Sequence, residues 1–209
     1  IDGNAGHDII IGGSAGDTLH GDDADPVNAA GDLADVILGD HGQMLFTGGL
    51  IAEIRTRDQH EGTGGADTIT GALGDDIILG GVNGDADGVD DIAGNADNDI
   101  LLGDNGELLY NSDTVLPAFA EREALDKIDT YAYSSDGTRN LGAGDTLSGN
   151  SGYDILIGGT GSDSVYGDDV AAAADTADHD RIRREAQALA RLTHTNVIRV
   201  HDVGTFEGR

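Results

Sequence analysis

The strongest constraint on this chain is a nine-residue phrase, Gly-Gly-x-Gly-x-Asp-x-apolar-x, that recurs along most of its length. It stands nearly unbroken from Gly71 (GALGDDIIL), Gly149 (GNSGYDILI) and Gly158 (GGTGSDSVY). Further copies begin at Gly3, Gly12, Gly62 and Gly94, with looser ones at Ala30, Gly80, Asp85 and Asn140. Glycine tolerates the positive φ angles and close backbone approach of a tight turn, so the first six residues read as turn and the last three as a short strand. Two such units make one coil. Stacked coils give two parallel sheets, with the residue at position eight, such as Leu19, Ile69, Ile78, Leu101, Leu147 or Leu156, pointing inward.

The same phase stacks carboxylates along each rim. The candidate ligands are Asp8, Asp17, Asp35, Asp67, Asp76, Asp85, Asp90, Asp99, Asp145, Asp154 and Asp163, helped by turn carbonyls near Gly71, Gly74, Gly149, Gly152, Gly158 and Gly161. Rows of carboxylates at strand spacing repel unless cations lie between them, and carboxylate plus carbonyl oxygen suits Ca²⁺. Several calcium ions are therefore expected as part of the fold. Asn83, Asp85 and Asp87 offer oxygens at alternate positions with Gly88 sixth, as an EF-hand-type loop does. Against a separate site there, Gly94 stands where the bidentate glutamate belongs.

These nonapeptides resemble the RTX, or hemolysin-type, calcium-binding repeats, and the resemblance covers Gly3 to roughly Asp169 with interruptions. It implies an all-β fold, a parallel β-roll or β-solenoid over residues 1–169. Apolar triplets at fixed phase after each aspartate separate such a chain from a disordered acidic linker. Leu-Gly-Asp followed by an insertion also looks like the arrays of very large bacterial surface or secreted proteins.

Composition agrees. The formal net charge is −29, from 40 acidic and 11 basic residues. The acidic excess lies before residue 181, which excludes nucleic acid as a partner of that part and predicts a metal-free chain that repels itself into unfolding. Cysteine is absent, which is compatible with an extracellular setting. No apolar run reaches membrane-spanning length. The chain opens on Ile1 within a repeat, as a fragment of something longer would.

Insertions interrupt the repeats at about 22–34, 40–61 and 104–139. The second carries a hairpin signal at Thr47-Gly48-Gly49, and Pro117 to Ile128 in the third reads as a short helix. Both longer insertions follow one lead-in, Ile37-Leu38-Gly39-Asp40 and Leu101-Leu102-Gly103-Asp104. Gly39, Gly103 and Gly167 are equally spaced, as are Asp35, Asp99 and Asp163, which suggests a higher-order repeat.

The strands fall into two kinds. Thr18, Thr68, Thr70, Thr146 and Ser148 flank inward residues on one sheet, whereas Ile9, Ile11, Ile77, Leu79, Ile100, Leu102, Ile155 and Ile157 give the other sheet two apolar faces. Such a face predicts burial. Two covers remain open: the chain's own insertions, with Met44, Leu45, Phe46, Leu50, Ile51, Leu108 and Leu109, or self-association with another copy.

After a linker at 170–177 the chain changes character. Residues 178–209 take helical spacing and then strand character, giving a C-terminal α-helical segment that resembles the αC helix and next strand of a bacterial Ser/Thr protein kinase, with Glu185 as the helix glutamate. No Gly-rich loop with its lysine, His-Arg-Asp loop or Asp-Phe-Gly motif accompanies it, so a cap on the roll or an incomplete domain is expected. The histidines lack zinc-site spacing, no Gly-x-Ser-x-Gly elbow is present, and the carboxylates follow the repeat. No catalytic residue is assigned. The expected function is a structural calcium-binding segment of a secreted or cell-surface protein, such as a stalk, adhesin or filament subunit. The alternatives are a secretion and folding module of an exported enzyme or toxin and, more remotely, a signalling fragment.

Overall fold

In a computed structural model, residues 1–22, 32–57, 64–83, 88–110, 125–131 and 142–168 are described below. The nonapeptide triplets become strands wherever Ile, Leu, Val or Thr follow the turn aspartate. One five-stranded parallel sheet runs in the order β1 (Ile9–Ile11), β3 (Val36–Leu38), β7 (Ile77–Leu79), β9 (Ile100–Leu102) and β13 (Ile155–Ile157). The second, also five-stranded and parallel, runs β2 (Thr18–His20), β6 (Thr68–Ala72), β8 (Asp91–Ala96), β12 (Thr146–Ser151) and β14 (Ser164–Asp168). Chain order alternates between the sheets, so each coil crosses from one to the other. No helix occurs among the described residues, and none is long and apolar enough to cross a membrane.

The register aligns residues of equal repeat position. Ile10 pairs with Ile37, Ile37 with Ile78, Ile78 with Leu101 and Leu101 with Leu156. Leu19, Ile69, Ile92 and Leu147 do the same opposite them. These two rows meet as the inner core, where all but the partly buried Leu156 are buried. Each such side chain withdrawn from water contributes about 1.5–3 kcal/mol.

A third, antiparallel sheet covers the outer face of the Ile/Leu-rich sheet. It consists of β4 (Gly42–Thr47), β5 (Leu50–Thr56), β10 (Gly106–Tyr110) and β11 (Leu125–Thr130), in the order β11-β10-β5-β4. β4 and β5 form the expected hairpin, turned by Gly48 and Gly49 at φ of 64° and 90°, the left-handed pair that matches strand twist. Ile54, Leu108 and Tyr110, with Met44, Ile51, Leu125 and Ile128, pack on Val36, Leu38, Ile77, Leu79, Ile100 and Leu102. The chain's own insertions are thus the cover. β5 pairs with β10, so the two insertions form one continuous sheet.

Three expectations are corrected here. Leu125–Thr130 is strand where a helix was read. The register with β10 shifts between Leu109 and Tyr110, so Leu108 faces Ile128 and Tyr110 faces Leu125. A bulge sets Leu125 and Ile128, three residues apart, on one face and so imitates helical spacing. Leu45, Phe46 and Leu50 are exposed near the hairpin tip rather than part of the cover. Ile9 and Ile11, expected to be buried, are 44% and 42% exposed, because the cover stops short of β1. The rest of the proposed helix and all of residues 170–209 lie outside the described residues.

The equal spacing of Gly39, Gly103 and Gly167 resolves into a real pair and a coincidence. Gly39 and Gly103 follow β3 and β9 of the same sheet, whereas Gly167 lies within β14 of the other.

The cover makes a comparison within one sheet. Ile100→Ala should cost about 2–5 kcal/mol, since Ile100 is 2% exposed and truncation leaves a cavity. Ile9→Ala, at the matching register position on uncovered β1, should cost about 0.5 kcal/mol. Thermal melts of the two variants in saturating calcium check this, and equal destabilisation would contradict the two environments.

Candidate metal centre

Each uninterrupted turn carries left-handed residues at repeat positions two and four. Position two is filled by Asn4, Ala72, Asn95 and Asn150 as well as by glycine, because asparagine tolerates positive φ. Position four, as at Gly74 (φ 107°), also brings the backbone against the neighbouring coil, where a Cβ would stand 2.6 Å from the Ala34 nitrogen. This turn geometry delivers the position-six aspartate to the rim of the sheet.

There the aspartates form two ladders. On one, the Asp8 amide donates to Asp35 Oδ1 (2.7 Å), Asp35 to Asp76 (2.8 Å), Asp76 to Asp99 (2.9 Å) and Asp99 to Asp154 (3.0 Å). On the other, Asp17 donates to Asp67 (2.7 Å), Asp67 to Asp90 (2.8 Å), Asp90 to Asp145 (3.0 Å) and Asp145 to Asp163 (3.0 Å). From the second rung of each ladder onward, one oxygen of the carboxylate is consumed by the amide of the preceding coil. The other is not: Oδ2 of Asp8, Asp17, Asp35, Asp67, Asp76, Asp90, Asp99 and Asp145 is buried without a hydrogen-bond partner. A charged oxygen withdrawn from water in this way is costly unless a cation meets it.

Position-one glycines show how closely carboxylate and carbonyl oxygens are packed there. A Cβ on Gly103 would lie 2.6 Å from both Asp145 Oδ2 and the carbonyl oxygen of Gly158 in the next coil. A Cβ on Gly21 would meet Asp35 Oδ2 and stand 2.7 Å from the Gly71 carbonyl oxygen. Gly149 is likewise bracketed by Asp154 Oδ2 and, at 2.7 Å, the Gly167 carbonyl. The cradle recurs at Gly12, Gly39, Gly71 and Gly80. At each of these turns a carboxylate and a carbonyl oxygen lie beside the same glycine, a donor set whose chemistry fits a hard cation. Among the described residues no three acidic or histidine side chains gather at one point. The cradles instead join carboxylate oxygen to backbone carbonyls.

Of the expected ligands, Asp8, Asp17, Asp35, Asp67, Asp76, Asp90, Asp99, Asp145, Asp154 and Asp163 stand on the ladders. Gly71 and Gly158 present carbonyl oxygens beside carboxylates, while Gly74, Gly152 and Gly161 meet neighbouring backbone. Asp85 and Asp87 lie outside the described residues. Asn83 is 1% exposed, turned into the roll beside Asp90. Sequence reading missed the buried Asp22, Asp40 and Asp104, whose signal was a Gly-Asp pair immediately before each break in the repeat.

Burial is the chief cause of raised carboxyl pKa values, with like charges along the ladder adding to it. Asp76 is pushed from 3.8 up to about 9, Asp90 and Asp99 to about 8, and Asp35, Asp67 and Asp145 to about 6.

Residues 1–25, 58–86 and 141–170 match the family model for the RTX calcium-binding nonapeptide repeat, in four copies. No curated protein and no solved structure matches. The ladders run through Asp35, Asp90 and Asp99, outside the matched stretches, so the fold continues the repeat where the sequence pattern fades. Repeats of this kind bind several Ca²⁺ ions, and the cofactor here is calcium.

The raised pKa values fix a sign. The metal-free fold holds protons that the unfolded chain releases near 3.8, so its stability is greatest in acid and falls as pH rises through about 6 to about 9. In EGTA, strand content followed by circular dichroism should increase as pH is lowered from 8 to 4. Metal-free stability that rises with pH would contradict the burial of these groups.

Proposed function

We propose that this chain, which carries RTX calcium-binding nonapeptide repeats, is a calcium-rigidified segment of a large secreted or cell-surface bacterial protein, serving as stalk, adhesin or filament subunit without catalysis of its own. One observation carries the reading: the two ladders leave a row of buried Oδ2 atoms, most of them beside a carbonyl oxygen from the neighbouring coil. The carboxylates of Asp35, Asp67, Asp90, Asp145 and Asp154 would hold Ca²⁺ with help from the carbonyls of Gly71, Gly80, Gly103, Gly158 and Gly167, which lie beside them. Asp8, Asp17, Asp76, Asp99 and Asp163 continue the ligand rows. Bound calcium supplies the positive charge that lets adjacent carboxylates stack.

A mechanical role follows from the arrangement. Each ion ties one coil to the next, and the cover sheet joins successive insertions, so the segment stiffens along the stacking axis. Carboxylates committed to metal and amides are unsuited to acid/base work. The expected affinity is that of extracellular calcium modules, about 10⁻⁴ to 10⁻³ M.

Circular dichroism should show an unfolded chain in EGTA at neutral pH and a β-rich one in millimolar Ca²⁺. Mg²⁺ should substitute poorly, because it demands near-ideal octahedral geometry. A β signal indifferent to chelation would sink the proposal. At single positions, Asp99→Ala should raise the calcium midpoint of folding roughly tenfold or more, whereas Asp126→Ala on the exposed part of β11 should leave it unchanged. Equal shifts would remove Asp99 from the ligand set.

A further inference from the structure

The places where insertions leave the roll share a feature that uninterrupted turns lack. At repeat position two, where other turns place a left-handed residue, they have Asp22, Asp40 and Asp104, none of them left-handed. These three are 1%, 0% and 6% exposed. In each case the preceding glycine lies against the aspartate that completes the same turn after the insertion: Gly21 against Asp35, Gly39 against Asp67 and Gly103 against Asp145. The returning chain closes in from the other side, with Gly64 set against the Asp40 carboxylate and Gly142 against that of Asp104. At Asp22 with Asp35 and at Asp104 with Asp145, an interrupted turn thus brings together two buried carboxylates, one from each of its halves, where an intact turn has one.

Hydrogen bonding does not account for that second charge. The Thr160 amide and hydroxyl donate to Asp104, yet an amide satisfies an oxygen without neutralising it. At Asp22 even this is missing. Both carboxylate oxygens are buried with no hydrogen bond of standard geometry, the Leu73 amide being the one backbone group that acts on them. The charges acting on Asp22 are those of Asp35, Asp32 and Asp8, and those acting on Asp104 are Asp145 and Asp163, all of one sign.

We infer that a calcium ion clamps the base of two of these insertions, bridging Asp22 with Asp35 and Asp104 with Asp145. The inference rests on the calcium-loaded roll proposed above and adds to it a second class of site with an extra carboxylate. Affinity rises with ligand charge, so these clamps fill before the ordinary rungs. They also close the insertion loops, which restores the geometric continuity that the covalent turn supplies elsewhere and, at Asp104, fixes the stem from which β10 and β11 reach the cover sheet.

Calorimetric calcium titration of the full chain tests this, comparing the wild type with Asp22→Asn, Asp104→Asn and the control Asp126→Asn. Asparagine keeps the size and accepting oxygen of aspartate while removing the charge. The wild type should show a tight and a weaker set of sites. Each insertion-turn variant should lose roughly tenfold or more in the tight set, keep the weaker set, and still reach the wild-type dichroism spectrum in excess calcium. Variants that titrate like the wild type overturn the clamp and leave the roll intact. Failure of both to fold in saturating calcium also overturns it, since the ladders alone would then be insufficient. A wild-type chain that binds no calcium overturns clamp and roll together.

Discussion

Everything in this structure depends on how a carboxylate divides its two oxygens. From the second rung of each ladder onward, Oδ1 accepts the backbone amide of the aspartate one coil before, which sets the vertical register. Oδ2 is left buried beside a carbonyl from the neighbouring coil. The first interaction is specific but puts like charges at strand spacing. The second makes that tolerable only with a cation or a proton in place. Register, metal dependence and acid response are therefore consequences of one arrangement.

The second support is apolar and works differently. A roll of three-residue strands has room for about one inward side chain per strand, too thin a core to hold many coils unaided. This chain enlarges it by burying the outer face of one sheet as well. Val36, Leu38, Ile77 and Leu79 are each at most 1% exposed, because β4, β5, β10 and β11 lie over them. The opposite sheet keeps Thr18 and Thr68 exposed on its outer face and needs no cover. Two hydrophobic layers flank one sheet, and the metal rims close its ends.

Much of this was legible in the sequence because it is periodic. Period nine fixed the strand triplets and the aspartate rows, and the contrast between Thr-Leu-Ser and Ile-Leu-Ile at equal phase separated the sheets. What escaped is what periodicity does not encode. The bulge that makes Leu125 and Ile128 look helical depends on pairing with β10, a partner distant in sequence. The exposure of Ile9 and Ile11 depends on where the cover ends. Asp22, Asp40 and Asp104 fell outside the repeat template because insertions displaced their turns, though the Gly-Asp pair before each break was visible. Sequence also overcounted one signal, since Gly167 shares the spacing of Gly39 and Gly103 but lies on the other sheet.

The density of insertions follows from strand spacing. Strands in the roll and in the cover are about 4.8 Å apart, so a two-stranded hairpin spans the width of two roll strands. An insertion on every second strand of the apolar sheet is then the number that covers it without gap or crowding. The structure has that number: hairpins arise after β3 and β9, with β7 between them. Each hairpin shelters the strand from which it springs and the one that follows, which accounts for burial from Val36 to Leu102 and partial burial of Ile155 and Ile157. β1 precedes the first insertion and so has no hairpin over it. The exposure of Ile9 and Ile11 is thus the geometric remainder of a pattern in which cover and roll grow at the same pitch.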